Sequence, residues 1–281
     1  MVIDYEVEYN NRARVPEHPQ IFEQWTRDAA AYRNETTKKG RAELGLKYGP
    51  SARQFIDIFH PATGDDGPLA VFVHGGYWRS LEPASFSHMA RGMNEHGVIV
   101  AVPGYDLVPQ VSIGQIVEQT RAACLALWKK FGKRLMVSGH SAGGHLAACM
   151  VATDWKTLDA DAPADLVPAG YAISGLFDLE PLLHLAGNAE FKLDAAEARR
   201  ISPLFWPVER GRILDAVVGG DESSEFLRHS KLIADVWRGK GADTRYEALP
   251  GKNHFTVCDP LPDPDSAMTR RLVELSKRAW L

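Results

Sequence analysis

Residues 135–146, Leu-Met-Val-Ser-Gly-His-Ser-Ala-Gly-Gly-His-Leu, constrain the fold of this chain more than any other stretch. Leu135, Met136 and Val137 read as a buried strand, and Leu146, Ala147, Met150 and Val151 read as one apolar helix face. Between them stands Gly139-x-Ser141-x-Gly143. A strand that turns into a helix within so few residues leaves room for small side chains only. The two glycines keep Cβ atoms out of the turn, so the Ser141 hydroxyl is expected to project from the carboxyl edge of a sheet.

Strand and helix patterns alternate on both sides of this turn. The continuous apolar run at 69–73 is expected as a strand buried on both faces, and 55–59, 97–102, 169–174, 213–218 and 244–249 are expected as further strands. Residues 16–37 carry Ile21, Phe22, Trp25, Ala29 and Tyr32 at helical spacing, which suits a helix packed on the sheet or walling a pocket. Ser112 and Gln115 read as a capping box opening a helix that Gly132 ends. Residues 179–212 break the alternation with Pro181, Gly187, Pro203 and Pro207, as expected of an insertion capping a site. The expected architecture is one doubly wound α/β domain over 1–281 with a cap at about 179–212.

Composition excludes several function classes. A net charge of −4 without any Lys/Arg run argues against nucleic acid. No apolar run reaches membrane-spanning length, and Met1–Glu6 carries no basic or apolar leader, so a cytoplasmic protein is expected. Cys124, Cys149 and Cys258 lack metal-ligand spacing and read as free thiols, two of them in apolar helical patterns. His140 and His145 are five apart, off one helical face, so neither a metal nor a cofactor is expected. The expected partner is a small-molecule substrate; a homodimer is left open.

A serine hydroxyl becomes a nucleophile when a histidine takes its proton and an acid orients that histidine. Ser141, Asp221 and His254 each follow a strand, in that order along the chain. Asp178 also ends a strand, but Asp221 ends the one immediately before the strand leading to His254 and is the preferred acid. Glu222 reads as solvated. His74-Gly75-Gly76-Tyr77-Trp78 follows a central strand, and its paired glycines, with Ala142, are expected to supply the N–H groups of an oxyanion hole. His74, Tyr77, Trp78, His140 and Phe177 are the candidate pocket residues, with Phe205 and Trp206 as more distant ones.

Taken together, His74–Trp78, Gly139–Gly144, Asp221 and His254 resemble the α/β-hydrolase superfamily in its hormone-sensitive-lipase-like branch. The His-Gly-Gly-x-Trp form, with Tyr9-Asn10-Asn11-Arg12 and Tyr48-Gly49, resembles the arylformamidase (kynurenine formamidase) group. Tyr105-Asp106-Leu107 departs from the Tyr-Arg-Leu of many relatives. The resemblance implies an α/β-hydrolase fold and a serine hydrolase that removes a formyl group from an aromatic amine such as N-formylkynurenine. A carboxylesterase with the same chemistry and a non-catalytic ligand receptor are the alternatives.

Overall fold

In the computed structural model, which describes residues 3–280, eight strands form one sheet. Met1 and Val2 of the expected leaderless start lie outside the described residues. The strands are β1 (Ala42–Lys47), β2 (Phe55–Phe59), β3 (Leu69–Val73), β4 (Ile99–Pro103), β5 (Leu135–His140), β6 (Ala169–Ile173), β7 (Ile213–Gly219) and β8 (Asp243–Leu249). Their order is β1-β2-β4-β3-β5-β6-β7-β8. β2 runs antiparallel to both its neighbours, β1 and β4, and every other pairing is parallel.

Among the described residues ten α-helices accompany them: α1 (Tyr5–Tyr9), α2 (Asn11–Arg14), α3 (His18–Lys38), α4 (Arg91–Glu95), α5 (Ile113–Phe131), α6 (Ala142–Val151), α7 (Asn188–Phe191), α8 (Ala195–Arg200), α9 (Ser224–Gly239) and α10 (Ala267–Trp280). Side chains on a strand alternate between faces, so the central strands feed two cores. Leu69, Val71 and Val73 pack with residues of α5, α6 and α9, whereas Ala70 and Phe72 pack with α3 and α10. This two-sided burial is why β3, β4 and β5 read as unbroken apolar runs.

The local signals at α5 are realised in full. Ser112 and Gln115 form a reciprocal capping box, and Gly132 closes the helix in the left-handed conformation at φ 66°. The three cysteines are buried and unpaired.

Two elements escaped the sequence reading. β1 is a half-exposed edge strand whose register shifts between Glu43 and Leu46, so it never shows a clean apolar alternation. Residues 83–95 form a 3-10 turn (Pro83–Ala90) running into α4, with no helical periodicity long enough to recognise. The stretch 179–212 contains only short helical turns, and its Leu185, Gly187 and Phe191 border the cleft described below.

Topology fixes where chemistry can occur. In parallel sheets ligands gather beyond the carboxyl ends of the strands. β3, β5, β7 and β8 deliver, at that one edge, the loops bearing His74–Trp78, Ser141, Asp221–Glu222 and His254.

Candidate active site

Ser141 sits between β5 and α6 at φ 57° and ψ −118°, a backbone region that side chains rarely adopt. Its neighbours must be glycine for steric reasons. A Cβ on Gly139 would lie 2.2 Å from the Gly143 carbonyl oxygen, and one on Gly143 would lie 1.9 Å from that of Val73. The Ser141 N–H donates to the Ile173 carbonyl at 2.8 Å, which ties the turn to β6. Ser141 is thus held by the sheet itself.

His254 lies at 3.1 Å from the Ser141 Oγ through Nε2 and at 2.6 Å from a carboxylate through Nδ1. That carboxylate belongs to Glu222, not to the expected Asp221. A tight turn explains the exchange. The Glu222 N–H donates to the Gly219 carbonyl at 3.1 Å, which leaves Asp221 at the outer corner, exposed. The longer Glu222 side chain folds back over the end of β7. Its Oε1 accepts from the Gly219 N–H at 2.7 Å and from the Ser174 hydroxyl at 2.5 Å. A buried charge is tolerable only when its oxygens are satisfied, and every bond here also fixes the direction of Oε2. Asp178, the other candidate acid, lies 3.9 Å from Arg228 on α9 and has no bond to His254.

Tautomers follow from the partners. A carboxylate only accepts, so Nδ1 of His254 carries the proton and Nε2 is free to receive one from Ser141. His140 holds the same residue from behind, donating from Nε2 to the His254 carbonyl at 2.7 Å. Burial holds the His140 pKa well below that of an ordinary imidazole, so it stays neutral beside His254.

Beyond the serine opens a cleft of about 900 Å³, its mouth included. Phe22 and Trp25 from α3, Tyr77, Phe191 and Phe255 wall it, and Gly76, His140, Ser141 and His254 form its inner end. The segment Tyr9–Arg12 forms another wall. Tyr9 anchors that segment, with its hydroxyl at 2.8 Å from Glu225 and 2.7 Å from His229 on α9, while the Tyr77 hydroxyl donates to the Tyr9 carbonyl at 2.5 Å.

Of the candidate pocket residues, the structure brings Tyr77 and His140 to the cleft and keeps three away. Trp78 is fully buried, edge-on to His145 at 5.2 Å, because left-handed φ values at both Tyr77 and Trp78 turn its ring into the core. Phe177 is buried against His229. His74 is stacked on Tyr105 at 4.3 Å, and burial lowers its pKa to about 4. Phe205 and Trp206 lie outward under Arg199 and Arg121. Asp106 braces a loop, accepting from Ser51 at 2.7 Å and Gln119 at 2.9 Å. Trp78→Ala should therefore act through stability, costing about 3–5 kcal/mol in denaturant unfolding, with no change in which acyl groups are accepted.

The loop His74–Trp78 is pinned by its carbonyls. His74 Nδ1 donates to the Gly75 carbonyl at 2.8 Å, and the Gly76 carbonyl accepts from the N–H groups of Arg79 and Ser80. A trans peptide points N–H opposite to C=O, so the N–H groups of Gly76 and Tyr77 turn away from those bonds. Gly75 does not border the cleft. A Cβ there would lie 2.8 Å from the His140 carbonyl oxygen and 3.1 Å from the Ser141 Cβ, so only glycine clears this turn.

Residues 70–257 match the α/β-hydrolase fold family. The chain is an α/β hydrolase. This hydrolase is 29% identical to a kynurenine formamidase of Salmo salar over 83% of its own length and 81% of the relative's. It is likewise 29% identical to a kynurenine formamidase of Drosophila melanogaster, over 85% and 83%. An isoprenylcysteine α-carbonyl methylesterase of Arabidopsis thaliana is 25% identical over 77% of this chain and 57% of that one. Among solved structures, a candidate thioesterase from Silicibacter sp. superposes with a TM-score of 0.84 at 34% identity, over 96% of this chain and 98% of that one. These relatives are hydrolytic enzymes, and the receptor alternative falls away with them. Among the described residues, no helix is long and apolar enough to cross a membrane.

Proposed function

We propose that this hydrolase removes a formyl group from an aromatic amine, an N-formylkynurenine-like substrate, by acyl transfer through Ser141, His254 and Glu222. The observation that carries the reading is the hydrogen-bonded series Glu222–His254–Ser141 opening into an aromatic-walled cleft. His254 takes the Ser141 proton as the oxygen attacks the carbonyl carbon. The developing oxyanion is received by the N–H groups of Gly76, Tyr77 and Ala142, the last at the amino end of α6. Gly75, the other donor expected, serves by leaving space. His254 then gives its proton to the leaving amine, and a water activated by the same imidazole frees formate and restores the serine.

The aryl ring of the substrate fits between Tyr77, Phe191 and Phe22, which offer faces and edges for aromatic contact. Trp25 and Phe255 crowd the inner end, where each ring lies close to His140 or His254. A hydrogen on the carbonyl carbon fits there. A longer acyl chain must displace those rings, at about 1–3 kcal/mol, or about 5- to 150-fold in kcat/KM. Turnover on one aryl amine should therefore fall from formyl to acetyl to butyryl.

The methylesterase relative favours a second reading, a carboxylesterase acting on short esters. Measuring kcat/KM for matched formanilides, acetanilides and butyranilides, with the corresponding aryl acetates and butyrates, separates the two. Faster turnover of the acetyl and butyryl compounds would replace the formamidase with the esterase.

A further inference from the structure

Asn11, in α2, is only 4% exposed, yet neither its Oδ1 nor its Nδ2 meets a hydrogen-bond partner among the described residues. Buried amides are nearly always satisfied, because an unpaired one keeps its full desolvation cost. This one borders the cleft that leads to Ser141. Arg12 follows it on the same wall, its guanidinium 5.8 Å above the ring of Phe22.

The neighbouring arginines are already paired. Arg14 pairs with Glu8 at 3.8 Å, and Arg79 pairs with Glu190 at 3.2 Å. The Glu6 carboxylate accepts the Ala186 N–H. Arg12 itself is exposed and enters no ion pair among the described residues. The cleft wall thus offers one cation without a counter-charge beside one amide without a partner.

We propose that Asn11 and Arg12 form a subsite for a carboxylate carried on the tail of the aromatic substrate. The guanidinium fork and the Asn11 NH₂ group donate to the carboxylate oxygens. The Asn11 Oδ1 remains as acceptor for an N–H group beside that carboxylate, so an α-amino acid tail satisfies both ends of the amide. The assignment rests on reading the cleft as the aryl-acyl site. It adds that the tail, at the end remote from the scissile bond, is where this enzyme selects its substrate.

The test uses two N-formyl aryl amines with the same ring, one bearing a side chain that ends in carboxylate and one ending in a methyl group. The same pair is also made as aryl acetates. The intact enzyme should prefer the carboxylate compound tenfold or more in whichever series it turns over. Arg12→Gln, at an exposed position, and Asn11→Ser should each shrink that preference at least fivefold, mainly through KM, with circular dichroism reporting the fold. Equal kcat/KM for the two tails in the intact enzyme, or an unaltered preference in Arg12→Gln, overturns the subsite. A tail preference seen only in the ester series keeps the subsite and removes the formamidase. Formamide turnover without tail preference does the reverse.

Discussion

Replacing Ser141 with alanine should abolish turnover, by about 10⁴-fold or more in kcat, while the protein keeps its fold. The side chain removed is small, and the strain at this position is backbone strain that alanine must also bear. Nothing else in the cleft offers a substitute. Among the described residues Ser80 also borders it, but its hydroxyl donates to the Gly76 carbonyl at 2.9 Å and has no imidazole beside it. The measurement is single-turnover kinetics on the best substrate, with thermal unfolding as control. Activity within tenfold of the parent enzyme would remove the serine mechanism. A serine-directed sulfonyl fluoride gives an orthogonal reading, since it should block the parent and leave Ser141→Ala unlabelled at this site.

The second large effect separates two adjacent carboxylates. Glu222→Gln should lower kcat by about 10³- to 10⁴-fold, because an amide presents either a donor or a weaker acceptor to His254 and disturbs the Nδ1–H tautomer. Asp221→Asn should stay within about twofold, as an exposed substitution away from the network. The present geometry makes the asymmetry steep. Glu222 accepts from Ser174, from Gly219 and from His254, so the substitution also leaves neighbours with a group of the wrong polarity. Ser174→Ala should share a smaller part of the loss, since it frees one oxygen and loosens the carboxylate. A crippled Asp221→Asn with an active Glu222→Gln would reverse the assignment.

How far the fold was legible follows from the same local physics. Runs such as Leu69–Val73 and Leu135–Val137 announce strands because both faces of the sheet are covered. The Gly139–Gly143 spacing announces the turn because no other residue clears Val73 and Gly143. Chain order likewise leads to Ser141 and His254. The carboxylate that meets His254 lies one position beyond the expected Asp221, because strand order predicts a loop, not the corner within it. Whether Asp221 or Glu222 points inward depends on a three-residue turn that both residues could occupy, and only Glu222 has the reach.

Pocket residues were harder still. An aromatic side chain next to a glycine pair looks like a pocket wall, yet two consecutive left-handed residues send Trp78 inward and Tyr77 outward. Asn11 and Arg12 carried only a motif-level signal, since nothing in four polar residues near the start of the chain says which cleft they will border. Phe22 and Trp25 were half legible: their helical spacing marks a buried face without saying what lies opposite.

The clasp made by Tyr9 bears on how the molecule comes into being. Tyr9 meets Glu225 and His229, partners more than two hundred residues away along the chain. Synthesis proceeds from the amino end and earlier parts settle first. The opening residues of this chain must therefore wait until most of it has emerged before they have anything to grip. Until then Ser141 can already sit on its turn with neither His254 nor a finished cleft beside it.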